Sequence, residues 1–127
     1  MTENEIAKII VDVAYKMHVA LGPGLLESAY EAVMEHDLLK RGLTVGRQVD
    51  VPIFYDGVKI ETGFRADLIV NDLVIIELKS VEQIHPVHPK QLLTYLKLTD
   101  KHLGLLINFN VPLIKNGITR IVNGLPE

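Results

Sequence analysis

The sequence predicts an α/β fold in which helices cover both faces of a mixed sheet, in the order α-α-β-β-β-α-β. Three observations carry that reading. Apolar residues recur at helical spacing over the first third of the chain, the period falls to two between Thr44 and Lys79, and a continuous apolar run follows one further helical stripe. With 127 residues, 48% of them hydrophobic and 23% charged, the chain has the make-up of one folded domain over 1–127.

Ile6, Ile9, Ile10, Val13, Met17 and Leu21 form the first helical stripe, with Thr2 and Asn4 as candidate caps. Gly22-Pro23-Gly24 stops it, because a glycine, a helix breaker and a second glycine favour a sharp turn. A second helix is expected from about Leu25 to Arg41, ending in the basic pair Lys40-Arg41 before Gly42, which suits a negative helix C-terminus.

Turn residues at Asp56-Gly57 and Asn71-Asp72 divide the next stretch into three antiparallel strands. Pairing Tyr55 with Val58 puts Val49, Val51, Ile53, Val58, Ile60, Phe64, Ala66, Leu68 and Val70 on one face, apolar apart from Tyr55 and Thr62. At the second turn a two-residue loop would set Asp67 opposite Ile76 and mix charge with core. A three-residue loop pairs Asp67 with Glu77, continues the apolar face through Val74, Ile76 and Leu78, and gathers Arg65, Asp67, Glu77 and Lys79 on the other. His88-Pro89 opens a third helix running to about Thr99, with Leu92, Leu93 and Leu96 inward and Gln91 and Tyr95 one turn apart. Leu103–Phe109 reads as a buried strand, and Ile118–Val122 as a last edge strand.

Composition narrows the function. A net charge of −3 argues against a protein that coats nucleic acid through a wide basic surface, which must neutralise many phosphates at once. A small site that grips phosphate through a bound cation remains open. The chain has no cysteine, so a metal must be held by oxygen or imidazole, and hard divalent cations come first. No apolar run approaches the roughly 20 residues of a bilayer span, and the start lacks a basic n-region. A cytoplasmic protein with no membrane contact is therefore expected.

Glu77 and Lys79 interrupt an otherwise apolar strand, two residues apart and so on one side of it. Buried carboxylates are costly unless paired or metal-bound, and two side by side repel unless a cation lies between them. Asp67 and Glu77 are accordingly candidate ligands for Mg²⁺ or Mn²⁺, a cation that would activate water and polarise a phosphoryl oxygen. Lys79 is placed to orient the attacking water or to neutralise the transition-state phosphorane.

Asp67, then Glu77-Leu78-Lys79, then Gln91 and Tyr95 resemble the PD-(D/E)XK nuclease signature, with Ala66 where the name of the motif has proline. Within that superfamily the chain is similar to small bacterial and archaeal proteins named for a Gly-x-x-Glu-x-x-Tyr motif, here Gly24-Leu-Leu-Glu27-Ser-Ala-Tyr30. Leu21–Ser28, Arg65–Val70, Gln91–Leu96 and Gly104–Asn110 are further matching stretches, and the resemblance runs from about Asn4 to Val122. It implies a restriction-endonuclease-like fold and cleavage of nucleic acid, DNA before RNA. It also implies that Glu27 and the backbone carbonyl of Leu78 join Asp67 and Glu77 at the metal, with Gln91, Tyr95 and Arg65 facing the substrate.

Plainer readings stand beside these. A carboxylate in the first turn of a helix is favoured by the dipole alone, which accounts for Glu27. Asp67, Glu77 and Lys79 with Arg65 balance as a structural ion cluster, although buried pairs rarely improve on apolar packing. Tyr30 reads as a core aromatic with a satisfied hydroxyl. His85 and His88 lack the further ligands of a tetrahedral zinc site, and their loop is expected to flank the active site. A non-catalytic nucleic-acid- or protein-binding module with the same fold is the alternative function. A homo-oligomer joined through the edge near Ile118 is the structural one.

Overall fold

In the computed structural model, residues 1–125 are described, the side chain of Thr62 excepted. The expected domain's residues 126 and 127, and the placement of the Thr62 side chain, lie outside the described residues. Helix α1 spans Glu3–Leu21 and starts with a capping box, in which the Thr2 hydroxyl accepts the Glu5 N–H while the Glu5 carboxylate accepts that of Thr2. Helix α2 spans Glu27–Lys40, two residues later than expected at its start, because the chain turns at Gly22 and Gly24 with φ of 71° and 99°. Strands β1 (Val45–Tyr55), β2 (Val58–Val70) and β3 (Val74–Lys79) follow, then helix α3 (Val87–Thr99), strand β4 (Leu103–Asn108), a short 3₁₀ turn at Ile114–Asn116 and strand β5 (Ile118–Val122).

The five strands form one sheet in sequence order. Only β3 and β4 are parallel, and α3 is the crossover that a parallel pair requires. Helices α1 and α2 cover one face, where Ile6, Ile10, Tyr30 and Met34 pack on Leu68, Ile76, Leu78 and Ile107. Helix α3 covers the other, with Leu92 and Leu96 on Ile69, Ile75 and Leu106. The α/β sandwich with a mixed sheet and helices on both faces is thus observed, with all seven expected elements in the expected order.

Both hairpin registers hold. Tyr55 pairs with Val58, and Val70 with Val74 across the three-residue loop Asn71-Asp72-Leu73, where Asn71 and Asp72 both take left-handed backbone. The expected single apolar face of β1 and β2 does not hold. Leu68 and Val70 pack with α1 and α2, whereas Val49, Val51, Phe64 and Ala66 pack with α3. Two breaks accompany this split. Gln48, opposite Asp67, lies at φ 51°, and the register shifts between Val51 and Ile53 around Pro52, which has no N–H for the ladder. Beyond that bulge the hairpin leaves the core, so that Tyr55 and Val58 are exposed.

Gly104 on β4 faces α3, and a Cβ there would stand 2.9 Å from Leu92 Cγ. Leu92 is buried and cannot swing clear. Gly104→Ala is expected to destabilise the protein by about 1–3 kcal/mol of overpacking, read as a lower midpoint in urea denaturation, with no effect from the exposed control Lys97→Ala.

Candidate metal and phosphodiester site

The β2–β3 ladder ends at the Leu68–Ile76 pair, and one further step of the same register sets Asp67 beside Glu77. Here a side chain replaces the backbone acceptor, since Asp67 Oδ2 takes the Leu78 N–H at 2.8 Å. Gln48 Nε2 lies 3.5 Å from Asp67 Oδ1 and donates to Glu31 Oε2 at 2.8 Å. Buried Glu31, on α2, holds Arg47 Nε at 2.7 Å. Asp67 is therefore oriented from two sides by groups that are themselves anchored, as outer partners orient a ligand.

Glu77 is 9% exposed and its Oε1 has no hydrogen-bond partner among the described residues. Burial, and then the charge of Asp67, push its carboxyl up to about 9, while Lys79 pulls the other way. Such a group is relieved by a proton or by a cation. Lys79 follows on the same side of β3, half-buried. Among the described residues it forms no ion pair with either acid; its backbone carbonyl accepts the Phe109 N–H at 3.0 Å.

Helix α3 closes one side. The Tyr95 ring stacks on Phe64 with centroids 3.8 Å apart and planes 3° from parallel. Burial first, then the charges of Glu77 and Asp67, push the Tyr95 phenol up, against a hydrogen bond from Gln91. Tyr95 is thus within electrostatic reach of both acids, and Gln91 is its hydrogen-bond neighbour. His88, at the start of the same helix, has its Nδ1 buried and unpartnered among the described residues. Burial, Lys79 and His85 hold its ring below the ordinary imidazole range, opposed by Glu27. Glu27 is the first residue of α2 and exposed, within electrostatic reach of His88. Leu78 gives its N–H to Asp67 and its side chain to the core.

Arg65 is not brought into this group. It is the cross-strand neighbour of Asp50 and bonds it, Nε to Oδ1, at 2.7 Å on the exposed surface. The four-charge cluster expected from patterning is therefore three charges, and the structural ion cluster loses one of its two bases. His85 and His88 meet edge to face with centroids 6.1 Å apart, and among the described residues no three His, Asp or Glu side chains form a ready-made cation cage. Sequence reasoning missed Glu31, Gln48 and Asn108. The last is buried, pairs with Lys79 in the β3–β4 register, and clamps Val81 by accepting its N–H at 3.1 Å and donating to its carbonyl at 2.9 Å. A polar residue inside an apolar run, as at Asn108, and an acid on the buried stripe of a helix, as at Glu31, were the available signals.

The mixed sheet with helices on both faces, carrying an acidic pair where two strands part, is an α/β domain of the restriction-endonuclease-like class. The chain belongs to the PD-(D/E)XK nuclease superfamily, whose family profile matches residues 4–121. Nucleases of this superfamily generally use divalent metals and act on nucleic acid. Neither curated proteins nor solved structures give a significant match. No helix among the described residues is long and apolar enough to cross a membrane.

The oxygen donors fit a hard divalent ion, because a buried, partnerless Glu77 oxygen beside a second carboxylate is an arrangement that a cation completes. In metal-free protein the folded state keeps the Glu77 proton up to about pH 9, while the unfolded chain releases it near 4.5. The contribution is thus fully present below about pH 4.5 and lost as pH rises through 9. Stability in a chelator is expected to fall across that window, and Glu77→Gln to flatten the fall, measured by urea denaturation at several pH values.

Proposed function

We propose that this protein is a metal-dependent nuclease, hydrolysing phosphodiesters of nucleic acid, DNA in the first instance, with one catalytic domain over 1–127. We place it with the Gly-x-x-Glu-x-x-Tyr proteins of the superfamily and in the cytoplasm. The observation that carries the reading is the buried Glu77 Oε1, which lies beside Asp67 and has no hydrogen-bond partner among the described residues.

Asp67 and Glu77 would hold Mg²⁺ or Mn²⁺, with Glu27 and the Leu78 carbonyl as further donors. When bound, the ion supplies Lewis-acid activation of water and of the phosphoryl oxygen. The chain's own groups do the rest. Gln48 and the Leu78 N–H keep the Asp67 carboxylate turned toward Glu77. The Lys79 ammonium orients the attacking water or offsets charge on the phosphorane. The Tyr95 phenol, pushed up, stays protonated at neutral pH and can donate to a phosphate oxygen, as can the Gln91 amide. Arg65, tied to Asp50, is left outside these roles.

Mn²⁺ at about 100 times its Kd is expected to stabilise the folded protein by about 2.7 kcal/mol, raising Tm by roughly 10 °C, and Glu77→Gln to remove the rise. Incubation with single- and double-stranded DNA and RNA, with and without Mn²⁺, tests turnover. Asp67→Asn, Glu77→Gln and Lys79→Ala should each lower cleavage by at least about 100-fold while circular dichroism stays unchanged. Metal-dependent cleavage that survives Lys79→Ala would overturn the assignment.

A further inference from the structure

We propose that the hydroxyl of Tyr30 is the positioning group that holds the backbone of Glu27 beside the end of β3, from where its carboxylate can swing to a cation at Asp67 and Glu77, acting with the Ser80 hydroxyl, which ties the same turn to that strand end. The inference rests on the metal-site reading above, and it gives a physical role to the glycine, glutamate and tyrosine spaced three apart in Gly24-Leu-Leu-Glu27-Ser-Ala-Tyr30.

Glu27 is the first residue of α2, and the start of that helix is loosely specified by its own sequence. The cap position is Leu26, which makes no side-chain cap hydrogen bond, whereas α1 begins with a full capping box. The preceding turn contains Gly22 and Gly24, both at positive φ, where the backbone has many alternatives. Something else must fix the direction in which the first helical residue points.

Tyr30 does so from within the helix. Its ring is fully buried, and its hydroxyl reaches back to the turn, donating to the Gly22 carbonyl at 2.6 Å and accepting the Leu25 N–H at 3.1 Å. One hydroxyl thus satisfies a backbone group on each side of Gly24. The ring stacks on Phe109 with centroids 4.3 Å apart, and the Phe109 N–H binds the Lys79 carbonyl at 3.0 Å. Ser80 completes the loop by donating from Oγ to the Leu25 carbonyl at 2.6 Å. The turn that carries Glu27 is therefore joined to the strand end that carries Glu77 and Lys79 by two routes, one through Ser80 and one through Tyr30 and Phe109. Glu27 opens on a small polar groove of about 270 Å³ that it shares with Ser80 and Asn110.

A phenol spent on two backbone groups inside the core would be a stability device only, were the turn not the one that delivers a candidate ligand. The two roles separate in a double-mutant cycle on Mn²⁺ affinity, measured by titration calorimetry on the full chain without substrate. Glu27→Gln and Tyr30→Phe should each weaken Mn²⁺ binding by about 10-fold or more, the scale of lost outer partners of a metal ligand. In the Glu27→Gln background Tyr30→Phe should cost less than about twofold more. Ser80→Ala, which leaves the core untouched, should repeat the pattern, with Ser80→Thr restoring affinity. A folded Tyr30→Phe or Ser80→Ala protein with unchanged Mn²⁺ affinity, or losses that multiply with Glu27→Gln, overturns the inference alone. Absence of Mn²⁺ binding in the parent chain overturns both it and the metal-site reading.

Discussion

The structure turns on one unfavourable placement, a carboxylate buried beside another carboxylate where two strands part. Glu77 sits in the middle of β3, a strand buried at every position but its last, and Asp67 uses one oxygen to hold the strand's own backbone. An ion pair with Lys79 would relieve the repulsion, yet among the described residues none is formed. Burial disfavours the charged form of Glu77, and the Asp67 charge adds to that cost. A fold that keeps such a pair without pairing it has a site whose free energy is lowered by a ligand of positive charge.

The surrounding structure is arranged to keep that pair in place. Arg47, Glu31 and Gln48 make a chain of hydrogen bonds from α2 through β1 to Asp67. Asn108 fixes the exit of β3 by binding both backbone groups of Val81, and Phe109 binds the carbonyl of Lys79. The acidic network at Glu31 is balanced by Arg47, so the field of that second acid is largely met locally. Next to this balanced network, Asp67 and Glu77 form no ion pair among the described residues. On the proposed reading a protein of net charge −3 receives phosphate through a cation held there, with the positive charge concentrated at one point instead of spread over a face.

Register was the part of the fold most legible in the sequence. Asp56-Gly57 fixes the first hairpin, and Asn71 and Asp72 tolerate the left-handed backbone of a three-residue loop, so the choice between two loop lengths reduced to which one kept charge out of the core. The side-to-side placement of residues along β1 and β2 was not legible. Strict alternation cannot foresee a left-handed Gln48 or the shift around Pro52, and those irregularities send Phe64 and Ala66 toward α3. Arg65 shows the cost of the assumption. Its cross-strand neighbour is Asp50, and a partner at that distance outcompetes a more remote acid pair. Glu31 and Gln48 were invisible for another reason, since both act through tertiary contacts between α2 and β1 that no local period records.

In the proposed site, proton and cation compete for the same oxygen. The burial that raises the Glu77 carboxyl to about 9 makes the proton a strong rival at neutral pH, and metal binding must release it. A more exposed carboxylate would ionise without cost, but it would also hold its cation in water, where the ion's field on a phosphoryl oxygen is screened. Burial therefore exchanges ease of loading for strength once loaded. The exchange is workable only if the site does not have to reorganise when the cation arrives, because a reorganising site would add its own cost to that of losing the proton. The anchored Asp67, the clamped end of β3 and the tied turn before α2 supply that rigidity, and they place the demand for order on the backbone around the acids and leave the exposed hairpin tip free of it.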